Sequence, residues 1–304
     1  MAELGVADAV GYEPVSAQEL AAACGADADA LERALRLLAA HGVFEREGGG
    51  FRQTPASELL RSDHPMSMRA FARMMGLPVV SATFGRLEHS IRTGLPAVET
   101  VEPDGFWAYL QDHPDEARVF GEAMTAKAAA DIAAILNAYD FSRFATIADI
   151  GGGRGHLLGA VLDAVPSVQG VLFDLPAVID ALDFEHERLR PQAGDFFVDP
   201  LPAADAYVLM EVIHDWPDAE SLAILSAIRC AAAPGAKVLV IESVLTDERP
   251  DPRGQTLDLI MLAVTGGRER TATELNELFD RAGLRDGTVV ETAGPLRIVE
   301  ATTV

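Results

Sequence analysis

The chain has 304 residues, 49% of them hydrophobic and 23% charged, with a formal net charge of −23. Length and composition describe one large or two ordinary soluble globular domains with a sizeable core. The acidic excess argues against nucleic-acid phosphate as a partner, and no run approaches the ~18 apolar residues of a membrane span. Cys24 and Cys230 are far apart and the seven histidines form no H-x-x-x-H or H-E-x-x-H set, so no metal site is expected. Free thiols and the lack of a basic-then-apolar leader predict a cytoplasmic location.

Residues 1 to about 60 read as a small helical module. Ser16-Ala-Gln-Glu19 is a capping box opening a short helix that Gly25 closes. Ala28 to Ala40 is a second helix with Leu31, Ala34, Leu35 and Leu38 on one face. Val43-Phe-Glu45 and Phe51-Arg-Gln53 flank a glycine turn and predict a β-wing. Together these make a winged helix-turn-helix. Its second helix sets Asp27, Asp29 and Glu32 against Arg33 and Arg36, which is no basic excess, so dimerisation and substrate covering suit it better than DNA. From Pro65 to Trp107, methionines and aromatics are scattered along helical stretches. Pro114 to Tyr139 reads as one long helix whose apolar stripe runs from Val119, Phe120, Ala123 and Met124 to Ile132, Ile135 and Leu136. The domain boundary is placed after it, giving domains 1–140 and 141–304.

From residue 146 strands and helices alternate. Ile147–Ile150, Val171–Phe173, Ala206–Met210 and Lys237–Ser243 are short apolar strands, and Leu296–Thr303 closes the sheet with a hairpin. The pattern predicts an α/β fold, a mostly parallel Rossmann-like sheet with helices on both faces. Between the first two strands lies Asp149-Ile-Gly-Gly-Gly-Arg-Gly155, followed by a helix that Pro166 ends. Asp174 then sits at a strand's carboxyl end, where it can accept hydrogen bonds from ribose hydroxyls. A dinucleotide fingerprint would need Gly or Ala where this chain has His156, and a Walker loop would need Gly-Lys-Ser/Thr.

Further polar residues fall at the carboxyl ends of the later strands, where open α/β sheets bind ligands. Gly194-Asp195-Phe196-Phe197 offers a carboxylate for an adenine amine and a ring for its face. His214, in Met210-Glu-Val-Ile-His-Asp-Trp216-Pro-Asp218, has the pKa to take a proton from a phenol near neutral pH. Such a base needs its second nitrogen held by an acceptor, and either Glu242 or Glu269 qualifies. Thr271 with Glu274 caps the helix that follows Glu269.

In their order and spacing these stretches, with Phe173-Asp-Leu-Pro176 and Gly266-Gly-x-Glu-Arg-Thr271, resemble the S-adenosylmethionine (SAM)-dependent small-molecule O-methyltransferases, the group of the plant caffeate and bacterial polyketide and phenazine enzymes. The likeness runs from about Leu4 to the C-terminus. It implies His214 as catalytic base, flanked by Glu242 and Glu269. It implies a SAM site formed by Gly151 on the methionine side, Asp174 at the ribose, and Asp195, Phe196 and Trp216 at the adenine, with Gly153 and Leu175 also binding the cofactor. Phe120, Met124 and Met261 match positions lining the acceptor pocket, and the family's N-terminal domain implies a homodimer.

There are departures. Met210 stands where relatives carry a polar cofactor contact, Lys127 stands at an acceptor-contacting position, and the N-terminal arm is shorter than the family's. The expected reaction is methyl transfer from SAM to a hydroxyl of an aromatic small molecule, without metal, nucleic acid or membrane. Three rivals stay open at this point: non-methylating chemistry such as hydroxylation or decarboxylation on the same fold, N-methylation of a heteroaromatic, and a winged-helix regulator carrying a ligand sensor.

Overall fold

A computed structural model of the chain describes residues 1–183, 185–246 and 251–304. Its contacts divide into two compact units, Met1–Leu77 with Asp115–Lys127, and Pro78–Pro114 with Ala128–Val304. The units interleave along the chain.

The first unit begins with helices α1 (Val6–Ala9), α2 (Ala17–Cys24) and α3 (Ala28–Ala40). The expected capping box is formed: the Glu19 backbone N–H donates to Ser16 Oγ and the Ser16 backbone N–H to Glu19 Oε2, at 3.3 and 3.0 Å. Strands β1 (Glu45–Glu47) and β2 (Gly50–Arg52) make the wing, shifted by about two residues from the sequence expectation on the first strand, since the chain turns on Gly48-Gly49. Leu20, Leu31, Leu35, Phe44 and Phe51 bury the apolar faces of these elements together. Helices α4 (Pro55–Glu58) and α5 (Arg69–Met74) follow. In the second unit α6 (Pro78–Phe84), α7 (Leu87–Thr93) and α8 (Gly105–Asp112) precede α9 (Pro114–Ala138), the long helix read from the sequence. Residues 115–127 of α9 belong to the first unit, where Val119, Phe120, Ala123 and Met124 pack with Phe71 and Met74.

The second unit is built on a sheet of seven strands. In chain order these are β3 (Thr146–Ile150), β4 (Gln169–Asp174), β5 (Leu189–Ala193), β6 (Ala206–Met210) and β7 (Lys237–Glu242), with β10 (Leu284–Val290) and β11 (Arg297–Thr303) last. A separate parallel pair joins β8 (Val244–Leu245) to β9 (Arg270–Thr271). The sheet order is β10-β11-β7-β6-β3-β4-β5, parallel from β7 to β5, with the last two strands an antiparallel hairpin at one edge. Helices α10 (His156–Ala164), α11 (Pro176–Asp180), α12 (Asp218–Ala231), α13 (Pro252–Val264) and α14 (Ala272–Ala282) connect them.

Strand alternation distributes the core. Ala148 and Ile150 face a cluster with Ile224 and Ile228 of α12 and Phe279 of α14, while Ile147 faces Leu158, Val161 and Leu162 of α10. Each fully buried Leu or Ile contributes at most about 1.5–3 kcal/mol. Because β3 lies between β4 and β6, the crossovers leave it in opposite directions, and this switch point opens a crevice beyond the strands' carboxyl ends. Among the described residues no helix is long and apolar enough to cross a membrane.

Candidate active site

The glycine loop follows β3 directly. Gly151 and Gly153 take φ of +67° and +57°, a region closed to most side chains. A Cβ on Gly151 would come 3.1 Å from Val212 and 3.7 Å from the Phe196 ring, so the loop backbone is drawn against both. Gly155, the residue before α10, has no side chain with which to cap that helix. Asp149, buried in β3, turns its carboxylate towards the Leu158 backbone N–H in the first turn of that helix. Its Oδ1 has no hydrogen-bond partner. At the end of β4, Asp174 Oδ2 accepts from the Gly153 N–H and Oδ1 from the Leu175 N–H, both at 2.7 Å. Burial, joined by the charge of Asp174, pushes Asp149 up to about 7; burial also raises Asp174, against the two N–H donors. A buried carboxylate with an idle oxygen and a half-buried one on a glycine N–H fit a ligand carrying both cationic groups and hydroxyls. SAM is such a ligand.

An aromatic wall continues the crevice. The Asp195 carboxylate accepts from the Phe197 N–H at 2.9 Å, folding a turn that projects Phe196 and Phe197. Both rings meet Trp216 edge to face, with centroids at 5.8 and 4.7 Å, and Trp107 of α8 stacks on Trp216 at 6.2 Å, nearly parallel. Asp195, Phe196 and Trp216 were expected here; Trp107 and Phe197 were not given a place in the site. Their signal was the same aromatic bias, spread over distant parts of the chain.

His214 lies on a 3-10 turn, Ile213–Asp215, just past β6, and is 4% exposed. Its Nδ1 is 2.6 Å from Glu269 Oε1, while its backbone N–H donates to Glu242 Oε1 at 2.9 Å. The two glutamates therefore divide the work: Glu269 holds the ring and Glu242, at the end of β7, holds the turn. Glu269 reaches the ring because the β8–β9 pair ties the 266–271 loop beside the end of β7, and because its own N–H donates to Asp258 of α13 at 2.9 Å. His214 Nε2 is 3.8 Å from Asp215 Oδ1, too long for a hydrogen bond. Burial disfavours the imidazolium, but Asp215, Glu269 and Glu242 outweigh it and raise the pKa to about 10. Burial and Glu269 together lift Glu242 to about 7. The carboxylates around the ring favour the charged imidazole, a departure from the sequence expectation of a group poised near neutrality. The reason is the number of carboxylates around it, of which Asp215 had been assigned no role.

Met261 of α13 is buried, and its sulfur accepts from Thr265 Oγ1 at 3.8 Å. Phe120 and Met124 lie half-buried in the cluster of the first unit. Among the described residues no group of three or more His, Cys, Asp or Glu side chains could hold a metal ion.

The chain is similar to known proteins along most of its length. A family model described as an O-methyltransferase domain matches residues 84–285, and one described as an O-methyltransferase dimerisation domain matches residues 1–63. A phenazine O-methyltransferase of Lysobacter antibioticus is 41% identical over 307 residues, covering 99% of this chain and 90% of the relative. An 8-amino-8-demethylriboflavin N,N-dimethyltransferase of Streptomyces davaonensis is 39% identical, covering 93% of this chain and 84% of its own length. The crystal structure of an O-methyltransferase from neocarzinostatin biosynthesis, in complex with SAM and 2-hydroxy-5-methyl naphthoic acid, is similar over 100% of this chain and 94% of that one, with a TM-score of 0.84 and 38% identity.

Proposed function

Because this chain belongs to the O-methyltransferase family and is a SAM-dependent enzyme, we propose that it methylates a phenolic hydroxyl of an aromatic natural product with His214 as general base. The observation that carries this reading is the 2.6 Å contact between His214 Nδ1 and Glu269. It fixes the tautomer, stabilises the imidazolium formed on proton uptake, and leaves Nε2 for the acceptor hydroxyl.

Bound SAM supplies a methyl group on a sulfonium sulfur, which leaves as a neutral thioether when the acceptor oxygen takes the methyl. Asp174 receives the ribose hydroxyls, Gly151, Gly153 and Leu175 line the cofactor's path, and Asp195, Phe196 and Trp216 hold the adenine. His214 takes the phenolic proton at Nε2 as the oxygen attacks. A sulfonium cation beside the ring would disfavour the imidazolium and so bring the raised pKa down towards the working range. Glu269 then meets a charge that appears only during the reaction, which is where a fixed carboxylate helps most. Met261 lines the acceptor pocket, and Phe120 and Met124 match acceptor-lining positions of the family. Residues 1–140 serve dimerisation and substrate covering, residues 141–304 cofactor binding, and the homodimer works in the cytoplasm.

The N,N-dimethyltransferase among the relatives keeps a nitrogen acceptor in view. The buried His214–Glu269 pair favours oxygen, since an aromatic amine is already nucleophilic when neutral and a phenol must lose its proton. The same pair, with Glu242, speaks for methyl transfer over a decarboxylating or hydroxylating relative. The test is His214→Ala, expected to bind SAM as the wild type does while turnover falls roughly 10²- to 10⁴-fold. Unchanged turnover would remove the base.

A further inference from the structure

The largest of the fully buried side chains is an arginine. Arg270, in β9, is 1% exposed in a chain whose other arginines mostly reach solvent. Its guanidinium is spent on the turn that carries His214. Nη1 donates to the Ile213 carbonyl at 3.1 Å and Nη2 to the Trp216 carbonyl at 2.8 Å, the residues on either side of His214-Asp215. Nε and Nη2 both donate to Asp218 Oδ1, at 3.1 and 2.8 Å, and Nη2 also reaches Ser221 Oγ at 3.2 Å. The neighbouring backbone adds to the grip, since the Arg268 N–H donates to the His214 carbonyl at 2.8 Å.

We propose that Arg270 is a positioning residue for methyl transfer, clamping the Ile213–Trp216 turn so that the His214 ring stays registered on Glu269. The inference rests on His214 acting as base. Ring and clamp come from adjacent residues of one loop: Glu269 grips the imidazole and Arg270 grips the backbone beneath it. A shift of the 266–271 loop therefore carries both partners together, and the turn that bears the imidazole cannot move against that loop without breaking the Arg270 bonds to its carbonyls and the Glu269 bond to the ring. Only a planar fork of donors reaches two carbonyls and a carboxylate at once; a lysine ammonium is a compact point charge on a flexible stem. Misplacement of a catalytic group by about 1 Å costs on the order of 10²-fold in rate.

The test compares Arg270→Lys and Asp218→Asn with the wild type, by kcat, acceptor KM, thermal stability and the low-field proton resonance of His214 Nδ1–H in the unloaded protein. Positioning predicts that folded Arg270→Lys loses at least tenfold in kcat with acceptor KM moving less than threefold. It also predicts that the resonance moves upfield as the Glu269 bond lengthens. Asp218→Asn should give the same changes at smaller size, because it frees the guanidinium from its carboxylate while leaving both carbonyl bonds. Wild-type kcat and an unmoved resonance in folded Arg270→Lys overturn the proposal. If that variant fails to fold, Asp218→Asn decides: a moved resonance with lower kcat supports it, and wild-type values for both overturn it. His214→Gln separates the layers. If it is inactive while Arg270→Lys behaves as wild type, only the clamp fails; if it turns over normally, the base reading fails and the clamp with it.

Discussion

Glu269→Gln removes one charge and almost no volume, which makes it the sharpest probe of how the site works. The rise of the His214 pKa from 6.5 to about 10 is a net preference of about 5 kcal/mol for the imidazolium, at 1.36 kcal/mol per pH unit. That preference survives the opposing effect of burial and is shared among Asp215, Glu269 and Glu242. Only Glu269 is hydrogen-bonded to the ring, at 2.6 Å with 1% of the glutamate exposed. A buried charge-assisted bond of this kind accounts for about 2–3 kcal/mol. Since the imidazolium forms during the reaction, losing that contribution should lower kcat about 30- to 150-fold on the pH plateau. The sign of the pH effect is opposite to the rate effect. The base form populates above the pKa, Glu269 raises that pKa, and so the acidic limb of kcat should move to lower pH in the variant. Initial rates of S-adenosylhomocysteine formation at saturating SAM, measured across pH, give both numbers. A variant within threefold of wild type, with its limb unmoved, would refute the assignment of Glu269 to the ring.

Asp174→Asn keeps an oxygen for the Gly153 N–H but loses the charge that would accept from ribose hydroxyls; SAM should bind roughly 10- to 100-fold more weakly by calorimetry, and an unchanged Kd would take Asp174 out of the site. Gly267→Ala is expected to destabilise by about 3 kcal/mol in denaturant titration, because a Cβ there overlaps the His214 carbonyl oxygen and the backbone around Asp215. A stability within 0.5 kcal/mol of wild type, a figure typical of surface changes, would show that the loop yields easily.

What the sequence disclosed depended on whether the responsible residues were contiguous. The glycine loop, the strand ends and the His214 turn are each a single short run, and Ala206–Met210 falls where the apolar run says it should. Strand β5 was passed over because Leu189-Arg-Pro-Gln-Ala193 is polar and contains a proline, both tolerated only at a sheet edge. Strand β10 leaves little mark in the sequence because Leu284-Arg-Asp-Gly-Thr288 holds no apolar run, and its pairing shifts register there between Arg285 and Thr288. The division of α9 between two units left no mark, since a continuous apolar stripe looks the same whichever neighbours it meets. Arg270 stands in the sequence only as part of a motif; its burial depends on Asp218 and on carbonyls more than 50 positions away, which no local pattern encodes.

The chain contains two tryptophans, Trp107 and Trp216, and both belong to the one aromatic wall. Its whole indole emission therefore originates at a single place, with Phe196 and the expected adenine contact beside it. Two nearly parallel indoles 6.2 Å apart also couple their electronic transitions, so the near-ultraviolet circular dichroism should carry a split signal from this pair. An unlabelled sample can thus be followed optically, and cofactor exchange timed by stopped flow, before any acceptor is known.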